Sequence, residues 1–530
     1  MSNNLNIKNM SLTFGMVFTI CFSLMSFKPV DPEKPAKPNI IIFYVDDLGY
    51  GDLSSYGSES VNTPNVDGLA ANGIRFTDAH STASTCTPSR YSLLTGQHAF
   101  RKNASVLPGD APLLIDEKTP TIASMLSECG YKTGVVGKWH LGLGNGNVNW
   151  NQDIKPGPLE VGFDYSFLIP ATGDRVPAVY VENHRVINLK EHDDPIVVSY
   201  KNKKIGDMPT GYENPELLRY SADSQHNMTI VNGVSRIGYM DGGESALWKD
   251  ENFPFVMTNK AVEFMDSAKK NPFFLFFSFH DIHVPRLPHE MFKGKTNMGV
   301  RGDAIVQMDW MTGKVMEALK ERDLLENTLV IFTSDNGPVL NDGYEDSAVE
   351  KLGDHDPAGG FRGGKYSIFE AGTRVPTIVY WEGKIQPGVS EALWSQVDLY
   401  ASIASIIGSD LSKDEAIDSQ DISKALLSAQ EKGTEYLIEE ASVLAIRKGK
   451  FKYIEPLSKG QKEPKFIMAK KKIEGGTSHD PQLYDLAKDP GEKRNIAAAN
   501  PNMVNALQEK LDEIRSKDHR STSEKELTTN

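Results

Sequence analysis

Cys86 and Arg90 stand at the two ends of the pentapeptide Cys-Thr-Pro-Ser-Arg, in a chain of 530 residues that has only three cysteines. If the segment is helical, these side chains lie one turn apart, so that a nucleophile would face a fixed positive charge. A plain turn that leads into a helix near Tyr91 is the competing interpretation, because Pro88 fixes its own φ and biases Thr87 toward extended geometry. A chance Cys-x-Pro-x-Arg in a chain of this length is an event of about a few per cent. The pentapeptide alone therefore suggests a reactive centre without establishing one.

Two pairs of hard oxygen ligands occur elsewhere in the chain. Asp46-Asp47 follows one apolar run, and Asp335-Asn336 follows another. Carboxylate and amide oxygens in this combination suit a divalent cation such as Ca²⁺ or Mg²⁺. An isolated Asp pair is more often part of a turn, but two pairs at two strand ends, with Cys86 between them in sequence, favour a metal site. The sequence has no Cys/His cluster at zinc spacing, which makes zinc a poor candidate.

Strand-like apolar runs precede these polar residues. The runs cover residues 39–45, 133–136, 272–279 and 328–333, and helical patterns at 121–129 and 306–322 lie between them. Strands that alternate with helices predict an α/β fold with a large, mostly parallel sheet between layers of helices. Since ligands bind beyond the carboxyl ends of such strands, the polar clusters should meet at one edge of the sheet.

The chain divides into five predicted segments: a signal peptide at 1–28, a Pro-rich linker at 29–38, a catalytic domain at 39–440, a smaller C-terminal α+β subdomain at 441–515 and a polar tail at 516–530. The apolar run at 10–27 follows Lys8, as in a secretory signal, and a retained membrane helix is the alternative. We expect an exported protein, in a bacterial periplasm, without stable membrane insertion. Removal of the signal would take Cys21 with it.

Composition limits the classes of partner. With 39% hydrophobic residues the chain can bury a large core, and its net charge of −14 argues against nucleic acid and against long polyanions held along their length. An anion must then be met in a local basic pocket, and the absence of a visible basic stripe favours a pocket-shaped, exo-acting site. Cys86 and Cys129 are too few thiols for a disulfide framework, so Cys129 is expected to be buried and inert.

From about residue 39 to residue 377 the chain resembles the formylglycine-dependent sulfatases of the alkaline phosphatase superfamily, and in particular bacterial glycan exo-sulfatases that are similar to N-acetylgalactosamine-6-sulfatases. Beyond the pentapeptide and the acidic pairs, the resemblance depends on Leu94-Thr95-Gly96, Gly137-Lys138-Trp139-His140, His283-Val284-Pro285, Ser334-Asp335-Asn336-Gly337 and Gly364-Lys365. It implies an alkaline-phosphatase-like fold. One departure is Ala371, where family members commonly have glycine before Gly-Thr-Arg-Val-Pro, so the local turn would differ if that glycine needed a positive φ.

The resemblance also implies a role for each matching residue. A separate formylglycine-generating enzyme would oxidise Cys86 to an aldehyde, whose hydrate attacks sulfur and whose second hydroxyl later expels sulfate. Arg90 would neutralise the alkoxide. A Ca²⁺ site, with Mg²⁺ as the alternative ion, would be formed by Asp46, Asp47, Asp335, Asn336 and an oxygen of the modified Cys86. Lys138, His283 and Lys365 would bind sulfate, with His283 as the acid for the leaving oxygen. His140 would contact the formylglycine hydroxyl.

Residues 156–250 form a long, irregular insertion in which substrate selection could be built. Asp174 and Arg175 could hold one sugar hydroxyl as acceptor and donor, and an ordinary surface ion pair is the alternative. His280 either lines the site or only packs. The stretch resembles that of bacterial glycan sulfatases acting on galacto-configured sugars, and this resemblance implies that Asp174 and Arg175 hold the axial O4.

The sequence therefore predicts a sulfuric ester hydrolase that removes the 6-O-sulfate from terminal galactose or N-acetylgalactosamine of mucin-type or chondroitin-type host glycans. A 4-O-specific or otherwise regiospecific carbohydrate sulfatase is one alternative. Two alternatives belong to other classes, a phosphomonoester or phosphonate hydrolase and a silent sulfoglycan-binding protein whose Cys86 is never oxidised. Relative kcat/KM on sulfate and phosphate esters of one phenol, and the mass of the Cys86 peptide, distinguish them.

Overall fold

The computed structural model describes residues 37–201, 203–268 and 271–520. The strands are β1 (Asn39–Val45), β2 (Ile74–Phe76), β3 (Ala79–His80), β4 (Lys132–Lys138), β5 (Tyr165–Ile169), β6 (Val181–Glu182), β7 (Arg185–Val186), β8 (Val197–Ser199), β9 (Ile230–Val231), β10 (Val234–Ser235), β11 (Tyr239–Asp241), β12 (Phe273–Ser278), β13 (Thr328–Ser334), β14 (Thr377–Tyr380), β15 (Gly388–Ser390), β16 (Trp394–Ser395), β17 (Tyr436–Glu440), β18 (Leu444–Lys448), β19 (Phe451–Ile454) and β20 (Gln482–Asp485). The α-helices are α1 (Pro64–Asn72), α2 (Cys86–Thr95), α3 (Ile122–Glu128), α4 (Phe253–Ser267), α5 (Gly299–Glu321), α6 (Leu399–Ile407), α7 (Ser423–Leu427) and α8 (Pro501–Arg515).

The main sheet has ten strands in the order β15-β2-β14-β13-β1-β12-β4-β5-β6-β7. Its centre, from β13 through β1, β12 and β4 to β5, is parallel, and β14 pairs antiparallel with its neighbours. Every residue of β1 and β13 is buried, because both faces of the sheet are covered and continuous apolar runs suit such strands. The predicted mostly parallel α/β fold is confirmed.

Helices cover both faces of the sheet. Helices α1, α4 and α5 pack together on one side, and α2, α3 and α6 pack together on the other. Helix α5 begins well before the predicted residue 306, because Gly299 and Gly302 obscure its first turn in the sequence. That turn is fixed instead by Arg301, whose guanidinium pairs with the buried carboxylate of Asp52 at 2.7 Å.

A separate antiparallel sheet, β17-β18-β19-β20, forms the C-terminal part together with α8. Apolar and charged residues alternate along its strands. One face of the sheet therefore packs apolar side chains on α8, and the other face places Glu439, Arg447 and Lys452 next to Glu370 of the main body. The first strand precedes the predicted boundary at residue 441, and the predicted domain boundaries themselves stay predictions.

Several predictions concern segments at the ends of the chain. The proposed signal peptide, most of the linker and residues 521–530 lie outside the described residues. None of the helices in the described ranges is both long and apolar enough to cross a lipid bilayer.

Cys129 is a free thiol as expected, but it is half-buried, with its Sγ 3.5 Å from Ser409 Oγ.

Candidate functional site

The candidate residues meet at the carboxyl edge of four adjacent strands. In the register, Val45 pairs with Ser334, Tyr44 pairs with Ser278, and Ser278 pairs with Gly137. The residues that directly follow these positions therefore leave the sheet at one level, and this edge brings together Asp46, Asp47, Lys138, His283, Asp335 and Asn336 as the sequence predicted. All six are buried.

Cys86 is the first residue of α2, and its side chain is 1% exposed. The free N–H groups of the first turn and the helix dipole favour negative charge at this end, so a sulfate group next to residue 86 would be stabilised. Burial raises the pKa of the Cys86 thiol, which keeps the encoded side chain neutral. Cys86 and Arg90 lie on one helix one turn apart, as the spacing predicted.

Arg90 is fixed by contacts on three sides. Its Nε and Nη2 donate to Asp335 Oδ2 at 3.1 and 2.7 Å, and its Nη1 donates to the carbonyl of Lys138 and to Ser278 Oγ. With no exposed surface, this guanidinium supplies a permanent positive charge behind Cys86.

The acidic residues form a compact oxygen-rich cluster. One ligand atom from each of Asp46, Cys86 and Asp335 lies within 4.8 Å of the others, and Asn336 Nδ2 donates to Asp47 Oδ1 at 2.7 Å. Burial and the neighbouring Asp335 raise the pKa of Asp46 well above its usual range, and burial raises the pKa of Asp47. This repulsion between buried carboxylates is what a bound cation would relieve.

The unpaired atoms of the cluster fit a divalent ion. Asp46 Oδ1 and Asn336 Oδ1 are buried acceptors that have no hydrogen-bond partner among the described residues. Such atoms are costly unless something binds them, and hard oxygens are the ligands of Ca²⁺ and Mg²⁺. Asp46, Asp47, Asp335 and Asn336 could therefore hold the expected metal, while the chemistry alone does not distinguish the two ions.

Two lysines pair with different carboxylates of the acidic cluster. Lys138 Nζ pairs with Asp46 Oδ2, and Lys365 Nζ lies 2.8 Å from Asp47 Oδ1 and 3.1 Å from Asp342 Oδ2. Gly137 makes the position of Lys138 possible: its φ is +113°, and a Cβ there would lie 1.8 Å from the carbonyl oxygen of Ser278. The end of β4 can thus approach β12 closely enough to place Lys138 in the site.

The two predicted histidines occupy different positions. His283 Nδ1 lies 2.6 Å from the carbonyl oxygen of Val284, which leaves Nε2 toward Asp47 Oδ2 at 3.8 Å. His140 is held through Nε2 by the carbonyl of Leu107 at 2.9 Å, and its Nδ1 is buried without a partner. Burial and Lys138 lower the pKa of His140 well below its usual range, so this imidazole is neutral.

Ala371 does not disturb the site. It is buried in the short helical turn Glu370–Gly372 and is not among the residues with a positive φ. An alanine is compatible with this backbone, so the turn needs no glycine at position 371.

Asp174 is buried and Arg175 is partly buried, with 12% of its side chain exposed, so the two do not form an ordinary surface ion pair. The Asp174 side chain is 3% exposed, and Arg175 Nη1 donates to its two oxygens at 2.7 and 2.9 Å. His226 Nε2 lies 3.4 Å from Asp174 Oδ2, and His226 Nδ1 lies 2.7 Å from Asp223 Oδ1. The sequence analysis missed His226, whose only signal was its place in the insertion.

His280 lines the boundary between this group and the catalytic cluster. Its ring packs on Phe253 and lies 6.1 Å from the ring of His283, while its Nε2 is buried without a partner beside Gly173. Burial and Lys138 lower its pKa to about 3, so the imidazole is neutral. His280 therefore both packs and borders the site.

Asp342 and Lys471 were also missed. Asp342 accepts from Lys365 and pairs with Lys471, which comes from the connection between β19 and β20. No local pattern marks either residue, because their partners are distant in sequence.

A third group of ligand-type residues, Asp78, His80 and Glu370, lies elsewhere. The guanidinium of Arg447 lies between Asp78 and Glu370 at 2.8 and 3.2 Å, and Lys452 contacts Glu370 at 3.2 Å. These cations already neutralise the carboxylates, so the group is a buried ion cluster that joins the C-terminal sheet to the main body.

Comparison with known proteins identifies the family to which the chain belongs. The sulfatase family model matches residues 38–409. An N-acetylgalactosamine-6-O-sulfatase of Bacteroides thetaiotaomicron is 49% identical over 489 residues, covering 92% of this chain and 94% of that protein, and human arylsulfatase A is 32% identical over 490 residues, covering 89% and 86%.

Solved structures of sulfatases have a similar fold. A chain from work on the metabolism of multiple glycosaminoglycans by Bacteroides thetaiotaomicron is 49% identical and covers 91% of this chain and 100% of that chain, with a TM-score of 0.88. A Pseudoalteromonas sulfatase is 25% identical over 90% of this chain and 89% of that chain, with a TM-score of 0.64. Members of this family generally use formylglycine and a divalent metal. The family model over residues 38–409 and the 49% identical relative show that the chain is a sulfuric ester hydrolase and belongs to the sulfatase family.

Proposed function

We propose that this sulfatase removes the 6-O-sulfate from terminal galactose or N-acetylgalactosamine of mucin-type or chondroitin-type glycans, acting from the chain end. The observation that supports this most directly is the 49% identity, over 92% of the chain, with a Bacteroides enzyme named as an N-acetylgalactosamine-6-O-sulfatase. The Asp174–Arg175 pair beside the catalytic cluster is consistent with selection of one sugar configuration.

Cys86 is proposed to act as formylglycine, made by a separate maturation enzyme, and Ca²⁺ is the proposed ion. When present, the hydrated aldehyde supplies the oxygen nucleophile and the metal polarises the oxygens around it. Arg90 would stabilise negative charge at residue 86, because its guanidinium is fixed between Asp335 and β4. A periplasmic location remains a prediction from the apolar run at residues 10–27.

Lys138 and Lys365 would hold the sulfate oxygens, since each presents a buried ammonium at the edge of the acidic cluster. His283 is the proposed proton donor for the leaving oxygen, and two carboxylates hold the ammonium of the alternative donor, Lys365. Nδ1 of His283 donates to the carbonyl of Val284, so Nε2 is the nitrogen that faces the site. Burial and the nearby Lys365 lower the pKa of His283 well below its usual range, so Nε2 must first take up a proton, which the negative charge of a bound sulfate would favour. His140 would contact the hydroxyl of residue 86 through its unpaired Nδ1.

Arg175 would be the direct donor to the sugar hydroxyl. Asp174 already accepts from Arg175 and Thr172 and lies against His226, so much of its acceptor capacity is used within the protein. Arg175 Nη1 makes the contacts to Asp174, which leaves the other donors of its guanidinium for a ligand. His226 and Asp174 would fix the orientation of this group at O4.

The test is a panel of sulfated monosaccharides and disaccharides that differ only in sulfate position and in C4 configuration. We expect the highest kcat/KM on 6-sulfated galacto-configured sugars, with lower values on 4-sulfated and gluco-configured analogues. A preference for another position or for the gluco configuration would contradict the proposal, and a preference for phosphate over sulfate esters would contradict its reaction class.

A further inference from the structure

A lysine-rich segment between β19 and β20 stands out in this acidic protein. Residues 459–472, which we call the lysine strap, include six lysines and a single acidic residue, Glu463, in a chain of net charge −14. Five of the lysines are exposed, and the sixth, Lys471, is buried. A local concentration of one sign of charge attracts ligands of the opposite sign even when the whole protein repels them.

Two lysines of the strap reach the candidate site. Lys471 pairs with Asp342, the carboxylate that also accepts from Lys365 at 3.1 Å. Lys470 Nζ lies 3.9 Å from Asp223 Oδ2, and Asp223 holds His226. The strap is therefore connected both to the proposed sulfate group and to the proposed sugar-binding group.

Hydrogen bonds to the residues just after the strap hold its end beside the loop that contains Lys365. Ser367 Oγ donates to the carbonyl of Glu474 at 2.6 Å, and the N–H of Ile368 donates to the carbonyl of Gly475 at 3.0 Å. The ring of Phe466 meets the ring of Tyr366 edge to face at 6.0 Å. These contacts place the strap at the border of the site.

The outer part of the strap is free to bind a ligand. Within the ranges that the structure describes, no carboxylate lies at ion-pair distance from Lys459, Lys462, Lys465 or Lys472, whereas the charges of Lys470 and Lys471 are already matched. Phe466 and Met468 are each 49% exposed between these lysines. Uncompensated cations beside exposed apolar side chains suit a ligand that has both negative charge and apolar faces, as an acidic sugar does.

We propose that the lysine strap binds the next, anionic sugar of the glycan, beyond the residue that bears the sulfate to be removed. The inference rests on the proposed function, since an enzyme that acts at a chain end must let the rest of the glycan leave the pocket. The scissile sulfate has its own buried lysines, so the strap serves a second negative group, either a carboxylate or a further sulfate. The favoured substrates are thus acidic oligosaccharides.

The test compares substrates that share a terminal 6-sulfated sugar. One is the monosaccharide, one is a chondroitin-type disaccharide whose next sugar is a uronate, and a keratan-type pair has a next sugar that is sulfated or neutral. The strap variant is K465Q/K472Q. The matched control, K320Q/K384Q, removes two exposed lysines beyond the opposite edge of the sheet.

At low salt we expect kcat/KM of the strap variant on the uronate or sulfated disaccharide to fall about fivefold more than on the monosaccharide or the neutral disaccharide. The control should show no such difference. A loss on the uronate substrate alone identifies a carboxylate as the ligand, and a loss on the sulfated one alone identifies sulfate. An equal effect on all four substrates would overturn the proposal.

Binding separates this inference from the proposed function. In C86A protein, which cannot turn over, calorimetry would compare the affinity for the same disaccharides with and without K465Q/K472Q. If the panel shows another sulfate position, the proposed function is wrong, yet weaker binding of acidic disaccharides to the strap variant would still support the strap. Unchanged affinity would overturn the strap whatever the panel shows.

Discussion

Replacing Asp174 with asparagine tests the proposed sugar-binding group with a minimal change of shape. The carboxylate accepts two bonds from Arg175 and lies 3.4 Å from the imidazole of His226. An amide of the same size keeps one acceptor and turns a donor toward these donors, so the orientation of Arg175 is lost while the catalytic cluster is untouched.

The size of the effect follows from the bonds involved. A hydrogen bond to a charged group is worth about 1.5–3 kcal/mol, which corresponds to a loss of about 10- to 150-fold in kcat/KM on 6-sulfated galactose. A small aryl sulfate has no sugar hydroxyl, so its hydrolysis should change by less than about threefold. D153N is the matched control, because Asp153 pairs with Arg185 on the surface and should affect neither substrate.

The assay is steady-state hydrolysis of both substrates by each variant, with thermal unfolding recorded in parallel. Losses of equal size on the sugar sulfate and the aryl sulfate would refute the assignment, since they would place Asp174 in the support of the catalytic cluster.

C86A should abolish turnover with little change in Tm, because it removes the only proposed nucleophile. Activity of C86A within about tenfold of the parent would contradict this. Protein made in a host without the maturation enzyme should also be largely inactive. Removal of divalent metal with a chelator should abolish activity and lower Tm, because the carboxylates of Asp46 and Asp335 would repel one another. Added Ca²⁺ should restore both the activity and the Tm. Full activity in metal-free protein would exclude the metal site. Although burial opposes it, Asp174 and Asp223 raise the pKa of His226, which also packs on the ring of Tyr344. The His226 side chain is therefore an imidazolium below about pH 6.5, the pKa of histidine in the unfolded chain, and it stays protonated somewhat above that pH in the folded protein. As pH rises through the pKa of His226 in the folded protein, kcat/KM on the sugar substrate should decline. The aryl sulfate should lack that step, and so should H226Q; the same step with both substrates would reject this assignment.

The sheet and most of the catalytic edge could be predicted because each depends on local sequence. An uninterrupted apolar run is buried on both faces, and the residue after it must leave the sheet at its carboxyl edge, so Asp46, Lys138 and Asp335 follow directly from the strands before them. The start of α5 was less predictable, because its first turn contains two glycines and is fixed by the contact of Arg301 with Asp52.

His226, Asp342 and Lys471 could not be found in the same way. His226 reaches Asp174 from the segment before β9, and Lys471 reaches Asp342 from the connection between β19 and β20. These contacts exist only after distant segments have packed, so no spacing in the sequence indicates them. The lysine strap corrects the expectation that the sequence contains no basic stripe, because its six lysines lie within 14 residues of sequence. Its place at the site could not be predicted, because that depends on the packing of Ser367 and Ile368.

Charge balance links the metal to the anion in this site. Asp335 is matched by Arg90, Asp46 by Lys138 and Asp47 by Lys365, and the fourth carboxylate of the site, Asp342, is matched by Lys471. With these four pairs the charged side chains of the site nearly cancel. A lysine that is already paired with a buried carboxylate attracts a sulfate ester only weakly. A divalent cation among the acidic residues would take over part of the carboxylate charge and free the ammonium groups for the substrate. In the proposed mechanism Lys138 and Lys365 would then be able to act as anion ligands, because the metal would replace them as partners of Asp46 and Asp47.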